Sequence, residues 1–143
     1  MFIGEYQHAL DEKGRLAVPA RFRKILSRGV VVTKGLDNCL FLYSKFEWGK
    51  LASKLAVLPI AKSNTRAFAR LMLAGAMDLE LDGQGRVGIP EYLRRFAGLG
   101  KQVVIAGLYN RLEIWDVVRW EAYKQQTEGK SNEIAEALGE LGV

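Results

Sequence analysis

The 143-residue sequence predicts an α+β fold built from two copies of one small unit. The first observation is an internal repeat, in which Asp11–Pro19 (DEKGRLAVP) returns as Asp82–Pro90 (DGQGRVGIP). Between Leu10 and Trp48, 37 positions align with the second copy and 13 are identical, whereas ordinary residue usage gives about two or three. The second observation is a change within each copy from strand-like alternation to helical i, i+3, i+4 spacing. Each copy alone is near the size at which an isolated core fails, so we expect one shared core.

Each copy opens with a strand, a tight loop and a second short strand. The loop carries the pattern Asp-x-x-Gly-Arg, in which Asp11 and Asp82 can accept hydrogen bonds from their own loop backbone. Gly14 and Gly85 permit the positive φ that a reversal of the chain requires. The predicted strands are 5–10 and 77–81 before the loops, and the stretches that end at Val18 and Ile89 after them.

A short helix is predicted to follow each loop. Pro19 and Pro90 fit its first helical position, because the N–H that proline lacks would be unpaired there. Both copies then show an apolar face at helical spacing, formed by Phe22, Ile25 and Leu26 in the first copy and by Leu93, Phe96 and Ala97 in the second.

A β-hairpin and a further helix complete each copy. The pairs Asp37-Asn38 and Tyr109-Asn110 are predicted to form tight turns, because Asn tolerates left-handed geometry. The helix after the second hairpin, around Trp120 and Tyr123, is predicted to be shorter and more polar than the helix after the first. The hairpin strands are 30–33, 40–43, 103–105 and 112–115, and the first helix has an apolar face of Trp48, Leu51, Leu55 and Leu58.

Two helical segments lie outside the repeated unit. Ser63-Asn64-Thr65 is predicted to cap a helix over 66–73, and Ser131-Asn132 precedes a short amphipathic stretch that contains Ile134 and Leu138. These segments divide the chain into a first domain (5–47), linking helices (48–75), a second domain (76–119) and a helical tail (120–143).

Composition and charge restrict the classes of function. The sequence contains no apolar run of membrane-spanning length and nothing that resembles a signal peptide, so we expect a cytoplasmic protein with no membrane partner. Cys39 and His8 are the single cysteine and histidine, so we expect no disulfide, no metal site and no cofactor. The net charge of +5 is concentrated in segment 11–28, which carries +4 beside the first loop. This concentration favours a polyanionic partner.

The sequence offers no arrangement typical of an enzyme. Gly83–Gly88 satisfies the pattern G-x-G-x-x-G, but Ile89-Pro90 after it predicts a strand rather than the helix that a dinucleotide site requires. His8 has no second histidine or cysteine placed for nucleophilic or metal chemistry. We therefore expect no catalytic residue and no small-molecule substrate.

The order and spacing of these motifs resemble a known family. A strand–loop–strand–helix–hairpin unit with Asp-x-x-x-Arg in its first turn resembles the AbrB-type swapped-hairpin DNA-binding domain, and two such units in one chain resemble the MraZ family. The matching fragments run from Gly4-Glu5-Tyr6 to Leu112–Asp116 and include both loops. The resemblance implies a β-barrel formed by the two halves with pseudo-twofold symmetry, flanked by helices, and ring-shaped homo-oligomers. It also implies a bacterial transcriptional regulator on the nucleoid, which binds short G-rich direct repeats upstream of a cell-division and cell-wall gene cluster, with repression as the expected effect.

Under this interpretation the two loops contact double-stranded DNA. Arg15 and Arg86 are expected to bind DNA because the arginine fork can contact O6 and N7 of guanine together. Lys13 and Gln84 are expected to add contacts, and the first loop to contribute more affinity because Gln84 has no charge. The alternative is that each Asp–Arg pair only bridges its own turn.

Three other possibilities stay open. The cations Lys62, Arg66 and Arg70 recur at i, i+4, i+8 spacing and form either a second DNA contact or an ordinary solvated helix face. An antitoxin-like protein of the same fold class is a second candidate function, although the short tail argues against it. A scaffold that recruits a partner through its acidic C-terminal segment is the third candidate.

Overall fold

The computed structural model describes residues 1–142, in which both copies contain the same order of elements. The first copy comprises β1 (Phe2–Ala9), β2 (Arg15–Ala17), α1 (Ala20–Arg23), β3 (Val30–Lys34) and β4 (Leu40–Ser44), followed by α2 (Lys45–Ala56). The second comprises β5 (Met77–Leu79), β6 (Arg86–Gly88), α4 (Glu91–Phe96), β7 (Gln102–Tyr109) and β8 (Leu112–Asp116), followed by α5 (Val117–Gly129). Between them lie α3 (Ser63–Ala69) and a π-helical turn (Arg70–Ala74), and the chain continues after α5 with α6 (Ser131–Ala137) and a 3₁₀ turn (Gly139–Leu141). The predicted duplicated α+β fold is confirmed.

The two copies exchange their first strands. Six strands form one antiparallel sheet in the order β1-β7-β8-β4-β3-β5, and β2 and β6 form a separate two-stranded ribbon. Strand β1 pairs with β7 of the second copy along its whole length, and β5 pairs with β3 of the first copy. The hairpins β3–β4 and β7–β8 meet where β4 pairs with β8. Backbone hydrogen bonds therefore join the copies at the sheet and at the ribbon.

One hydrophobic core serves both copies, as the sequence predicts. Leu16 of β2 lies opposite Val87 of β6, and both side chains are fully buried. Phe22 of α1 packs edge-on against Phe2 of β1, with ring centroids 5.2 Å apart, while Leu93 of α4 occupies the equivalent place in the second copy. Burial of each such side chain contributes roughly 1.5–3 kcal/mol to stability.

A second cluster forms where helices cover the outer side of the hairpins. Phe41 and Trp115 belong to it, together with Leu55 of α2, and Trp120 of α5 packs against Trp115 with ring centroids 5.4 Å apart. The carboxylate of Glu113 is buried at this face, where it accepts hydrogen bonds from the Trp115 indole N–H and the Arg111 guanidinium. A buried carboxylate needs such partners to offset the loss of hydration.

Three predicted helix starts are wrong. Pro19 and Pro90 have extended ψ values of 134° and 148°, so they are N-cap residues rather than first helical residues. Helix α3 begins at Ser63 with Lys62 at the N-cap, three residues before the predicted start. The hydroxyl of Thr65 lies within the first turn and donates to the Lys62 carbonyl oxygen at 2.9 Å.

Three details of packing and turn geometry also differ from prediction. Ile25 is 44% exposed, whereas Phe22 and Leu26 of the same predicted apolar face are buried. Helix α5 has 13 residues against 12 in α2, so it is longer rather than shorter, although it is the more polar helix and contains no fully buried residue. In the second hairpin turn Tyr109, not Asn110, takes the left-handed φ of 65°.

Candidate nucleic-acid interface

Each repeated loop is held by its own aspartate. Oδ1 of Asp11 accepts hydrogen bonds from the backbone N–H groups of Lys13 and Arg15, both at 2.9 Å, and Oδ2 accepts from Nε of Arg15 at 2.6 Å. Oδ1 of Asp82 accepts from the N–H groups of Gln84 and Arg86, again at 2.9 Å, and its Oδ2 accepts from Nε of Arg86 at 2.8 Å.

Both aspartates remain ionised at neutral pH. The hydrogen bond from the backbone N–H of Arg15 lowers the pKa of Asp11 most, and desolvation opposes it. The Arg15 guanidinium and the N–H of Lys13 lower this pKa further, to about 2. The equivalent groups of Arg86 and Gln84 lower the pKa of Asp82. Each loop therefore combines one fixed carboxylate with one guanidinium that the carboxylate orients.

The two loops form a single surface. The N–H of Val18 donates to the Gly85 carbonyl oxygen at 3.0 Å, and the N–H of Ile89 donates to the Gly14 carbonyl oxygen at 2.9 Å. Gly14 and Gly85 have φ values of 77° and 75°, which side chains with a Cβ rarely adopt. Strands β2 and β6 continue from the two loops as the antiparallel ribbon, so the loops lie side by side.

Two further arginines, which are not among the predicted site residues, belong to this surface. Arg23 donates from Nε to the Val18 carbonyl oxygen, and Arg94 donates to the Ile89 carbonyl oxygen, each at 2.9 Å. Each guanidinium crosses to the loop of the other copy: a Cβ placed on Gly85 would lie 2.3 Å from Nε of Arg23, and one on Gly14 would lie 2.7 Å from Cζ of Arg94. Both arginines lie four residues after the repeated proline. This shared spacing is the feature of the sequence that could have identified them as part of the site.

The surface is basic, and its two halves differ. Lys13 and Gln84 occupy equivalent exposed positions at the loop tips, so the first tip carries a positive charge that the second lacks. Beside the first loop a depression of about 690 Å³ is lined by Lys13, Arg15, Arg94 and Lys101. Six cations stand against three acids across the loops and their rim, a surplus of +3; the cations are Lys13, Arg15, Arg23, Arg86, Arg94 and Lys101, and the acids are Asp11, Glu12 and Asp82.

The other predicted basic group is separate from the loops. Lys62 lies at the N-cap of α3, Arg66 within that helix, and Arg70 at the start of the π-helical turn. The guanidinium of Arg66 donates to the Ile60 carbonyl oxygen at 2.8 Å. No helix within residues 1–142 is both long and apolar enough to cross a membrane.

Comparisons with known proteins show the family. The family model described as "MraZ protein, putative antitoxin-like" matches twice, over residues 1–71 and 72–140, so each match contains one repeat. The chain is 49% identical over its full length to the protein named "Transcriptional regulator MraZ" from Natranaerobius thermophilus and 50% identical to the one from Alkaliphilus oremlandii. The protein of that name from Halothermothrix orenii is 49% identical, and all three alignments cover 100% of both chains. The chain belongs to the MraZ family.

Proposed function

We propose that this protein is a transcription regulator that binds double-stranded DNA through the paired loops. The observation that carries the proposal is the pair of aspartate-held arginines, Arg15 and Arg86, which the β2–β6 ribbon places side by side on one basic surface. The relatives' name, "Transcriptional regulator MraZ", supports the same role. The loop-bearing domains, 5–47 and 76–119, would then act on DNA as one body.

The loop geometry suits recognition of guanine. Because Nε of Arg15 is occupied by Asp11, the two terminal nitrogens are left to face a ligand as a fork. Such a fork can donate to O6 and N7 of one guanine, and the Asp11 contact reduces the side-chain entropy lost on binding. Arg23 and Arg94 are suited to phosphate contacts beside the loops, and Lys13 gives the first loop the larger share of affinity.

The finer assignments rest on the family resemblance. We propose an AbrB-type swapped-hairpin barrel, which the exchange of β1 and β5 between the copies supports. We further propose that ring-shaped homo-oligomers bind short G-rich direct repeats near the promoter of the cell-division and cell-wall cluster, on the nucleoid, and repress it. A ring that presents many loops would gain affinity from multivalency.

The test is a fluorescence-anisotropy titration of the protein against its own upstream DNA and a scrambled duplex, at low and near-physiological salt. Specific binding should prefer the upstream DNA at both salt concentrations. Arg15→Ala should cost about 1–3 kcal/mol if Arg15 contacts a base. Arg119→Ala is the matched control, because Arg119 is exposed on α5. Equal binding to both duplexes that disappears with salt, or full affinity in a folded Arg15→Ala protein, would contradict the proposal.

A second candidate is an antitoxin-like role, which the description of the family model favours. Such a protein would bind a small toxin rather than act on DNA alone. Copurification of the full-length protein from its natural host, followed by mass spectrometry, would show a stoichiometric small partner. A scaffold role would instead be favoured if gene regulation were unchanged after the loop arginines and Lys13 were neutralised.

A further inference from the structure

Residues 131–142 form an amphipathic segment on the surface of the chain. Every position of α6 and the following 3₁₀ turn is exposed, over residues 131–142. Ile134, Leu138 and Leu141 have i, i+4, i+7 spacing and form one apolar stripe, with exposed fractions of 43%, 38% and 73%. Glu133 and Glu140 lie on one side of this stripe, whereas Glu136, two residues after Ile134, lies on the opposite face of the helix. None of these carboxylates has a Lys or Arg nitrogen within 4.0 Å in the described part of the chain.

A groove with the opposite charge runs between the C-terminal end of α2 and α3. Its walls are apolar and it has a volume of about 280 Å³, below the roughly 300–1,000 Å³ typical of small-molecule sites. Ile60 projects at its edge and is 81% exposed. The apolar walls comprise Leu55, Leu58, Pro59, Ile60 and Leu73.

The rim of this groove carries cations that lack acidic partners. Arg66 and Arg70 line the groove, and Lys62 continues their i, i+4, i+8 row. Over residues 1–142, no carboxylate oxygen lies within 4.0 Å of these three side chains. The groove therefore has an apolar surface with a row of cations along one side. This arrangement is complementary to an apolar stripe with carboxylates along one side.

We propose that residues 131–142 of one copy dock in the groove between α2 and α3 of a second copy. The stripe of Ile134, Leu138 and Leu141 would pack on the apolar walls. Glu133 and Glu140 would then face Arg66 and Arg70. No residue of 131–142 lines the groove of its own chain, so the occupant is assigned to a neighbouring copy. The inference is independent of DNA binding, and it gives the proposed ring a specific contact.

The two contacting surfaces are different parts of the chain, which determines the geometry of assembly. A segment on one copy and a groove on the next make a head-to-tail contact, and such contacts close into rings or continue as filaments. A segment of 12 residues buries less area than the roughly 1,200–2,000 Å² of a stable standard interface. Each contact is therefore weak by itself and gains strength when a ring closes.

The first test exchanges the charges of the two surfaces in the full-length protein. Arg66→Glu/Arg70→Glu and, separately, Glu133→Arg/Glu140→Arg should each raise the dissociation constant of self-association by roughly tenfold or more at low salt, because like charges then face each other. Combining all four substitutions should restore the constant to within about threefold of the wild-type value, because opposite charges again face each other. Sedimentation equilibrium without DNA measures this constant, so failure of DNA binding does not affect the result. Lys24→Glu/Arg28→Glu is the matched control, because both side chains are exposed and outside the groove.

The second test locates the contact by disulfide formation between Ile60→Cys and Leu138→Cys in one chain. The native thiol of Cys39 is fully buried and does not compete. Head-to-tail docking predicts a ladder of covalent multimers under oxidation, whereas either single substitution gives no ladder. A cross-link confined to the monomer would place the segment in its own groove and overturn the proposal. No cross-link, unchanged self-association after charge reversal, or a monomeric wild-type protein would also overturn it.

Discussion

Substituting Gly85 with alanine should destabilise the loop and release the arginine that crosses it. Gly85 has a φ of 75°, and a left-handed conformation costs a residue with a Cβ about 1–2 kcal/mol. The new Cβ would also lie 2.3 Å from Nε of Arg23, so the guanidinium must move and lose its hydrogen bond to the Val18 carbonyl oxygen. That hydrogen bond contributes about 1 kcal/mol. Together these effects give a loss of about 2–3 kcal/mol, or a decrease in Tm of about 4–10 °C.

Gly83 in the same loop supplies the matched control. It has no positive φ, and a Cβ there would have no atom within 4 Å. Gly83→Ala should therefore leave stability unchanged or raise it by about 0.4–1 kcal/mol, because the unfolded chain loses conformational freedom. Gly85→Asn separates the two costs, since asparagine tolerates the left-handed backbone but still carries the clashing Cβ.

Thermal and urea unfolding followed by circular dichroism measure these differences, and anisotropy shows whether DNA affinity falls with the release of Arg23. The reasoning is refuted if Gly83→Ala and Gly85→Ala give the same Tm. It is also refuted if Gly85→Ala is as stable as the wild-type protein, because the loop backbone would then relax without strain.

Three further outcomes are expected. Leu16 is 1% exposed at the centre of the shared core, so Leu16→Ala should cost about 2–5 kcal/mol, and urea titration should still show one transition rather than one for each copy. In the folded protein the pKa of Asp11 is lowered to about 2, and the pKa of Asp82 is also lowered. The stability that the ionised carboxylates provide is therefore complete above pH ~4 and decreases as the pH falls toward ~2. A plot of Tm against pH should be flatter in this range for Asp11→Asn/Asp82→Asn, and an unchanged slope would contradict the assignment. Gln84→Lys should raise DNA affinity and steepen the slope of log K against log salt by about 0.9, because one more phosphate is contacted. An unchanged slope would mean that the tip of the second loop does not reach a phosphate.

The loops were predictable from sequence because their geometry is local. Asp11, Gly14 and Arg15 lie within five positions, and the preferences of aspartate and glycine in turns limit the backbone to few forms. Repetition at Asp82 and Gly85 strengthened the prediction, since the same local preference occurred twice. Short, mostly apolar runs next to turn residues likewise located the hairpin strands closely, because such runs favour strands wherever their partners lie.

The exchange of strands could not be predicted from pattern alone. Alternation shows that β1 has one buried side but not whether its partner is β3 or β7. The same limitation hid the role of Arg23, because its partner loop lies more than 50 positions away in the sequence. The start of α3 was misjudged for a different reason: the same polar residues that cap helices are also tolerated in a first turn, where Thr65 lies.

Because both copies lie in one chain, the two paired loops can differ in sequence. A dimer of identical chains must present the same loop twice, so its surface looks the same after a half-turn. Here the strand exchange keeps the twofold arrangement of the backbone, while Lys13 in one loop and Gln84 in the other break that equivalence in the side chains. A surface with two distinguishable ends has a head and a tail, and it can take one orientation on a target that is not a palindrome.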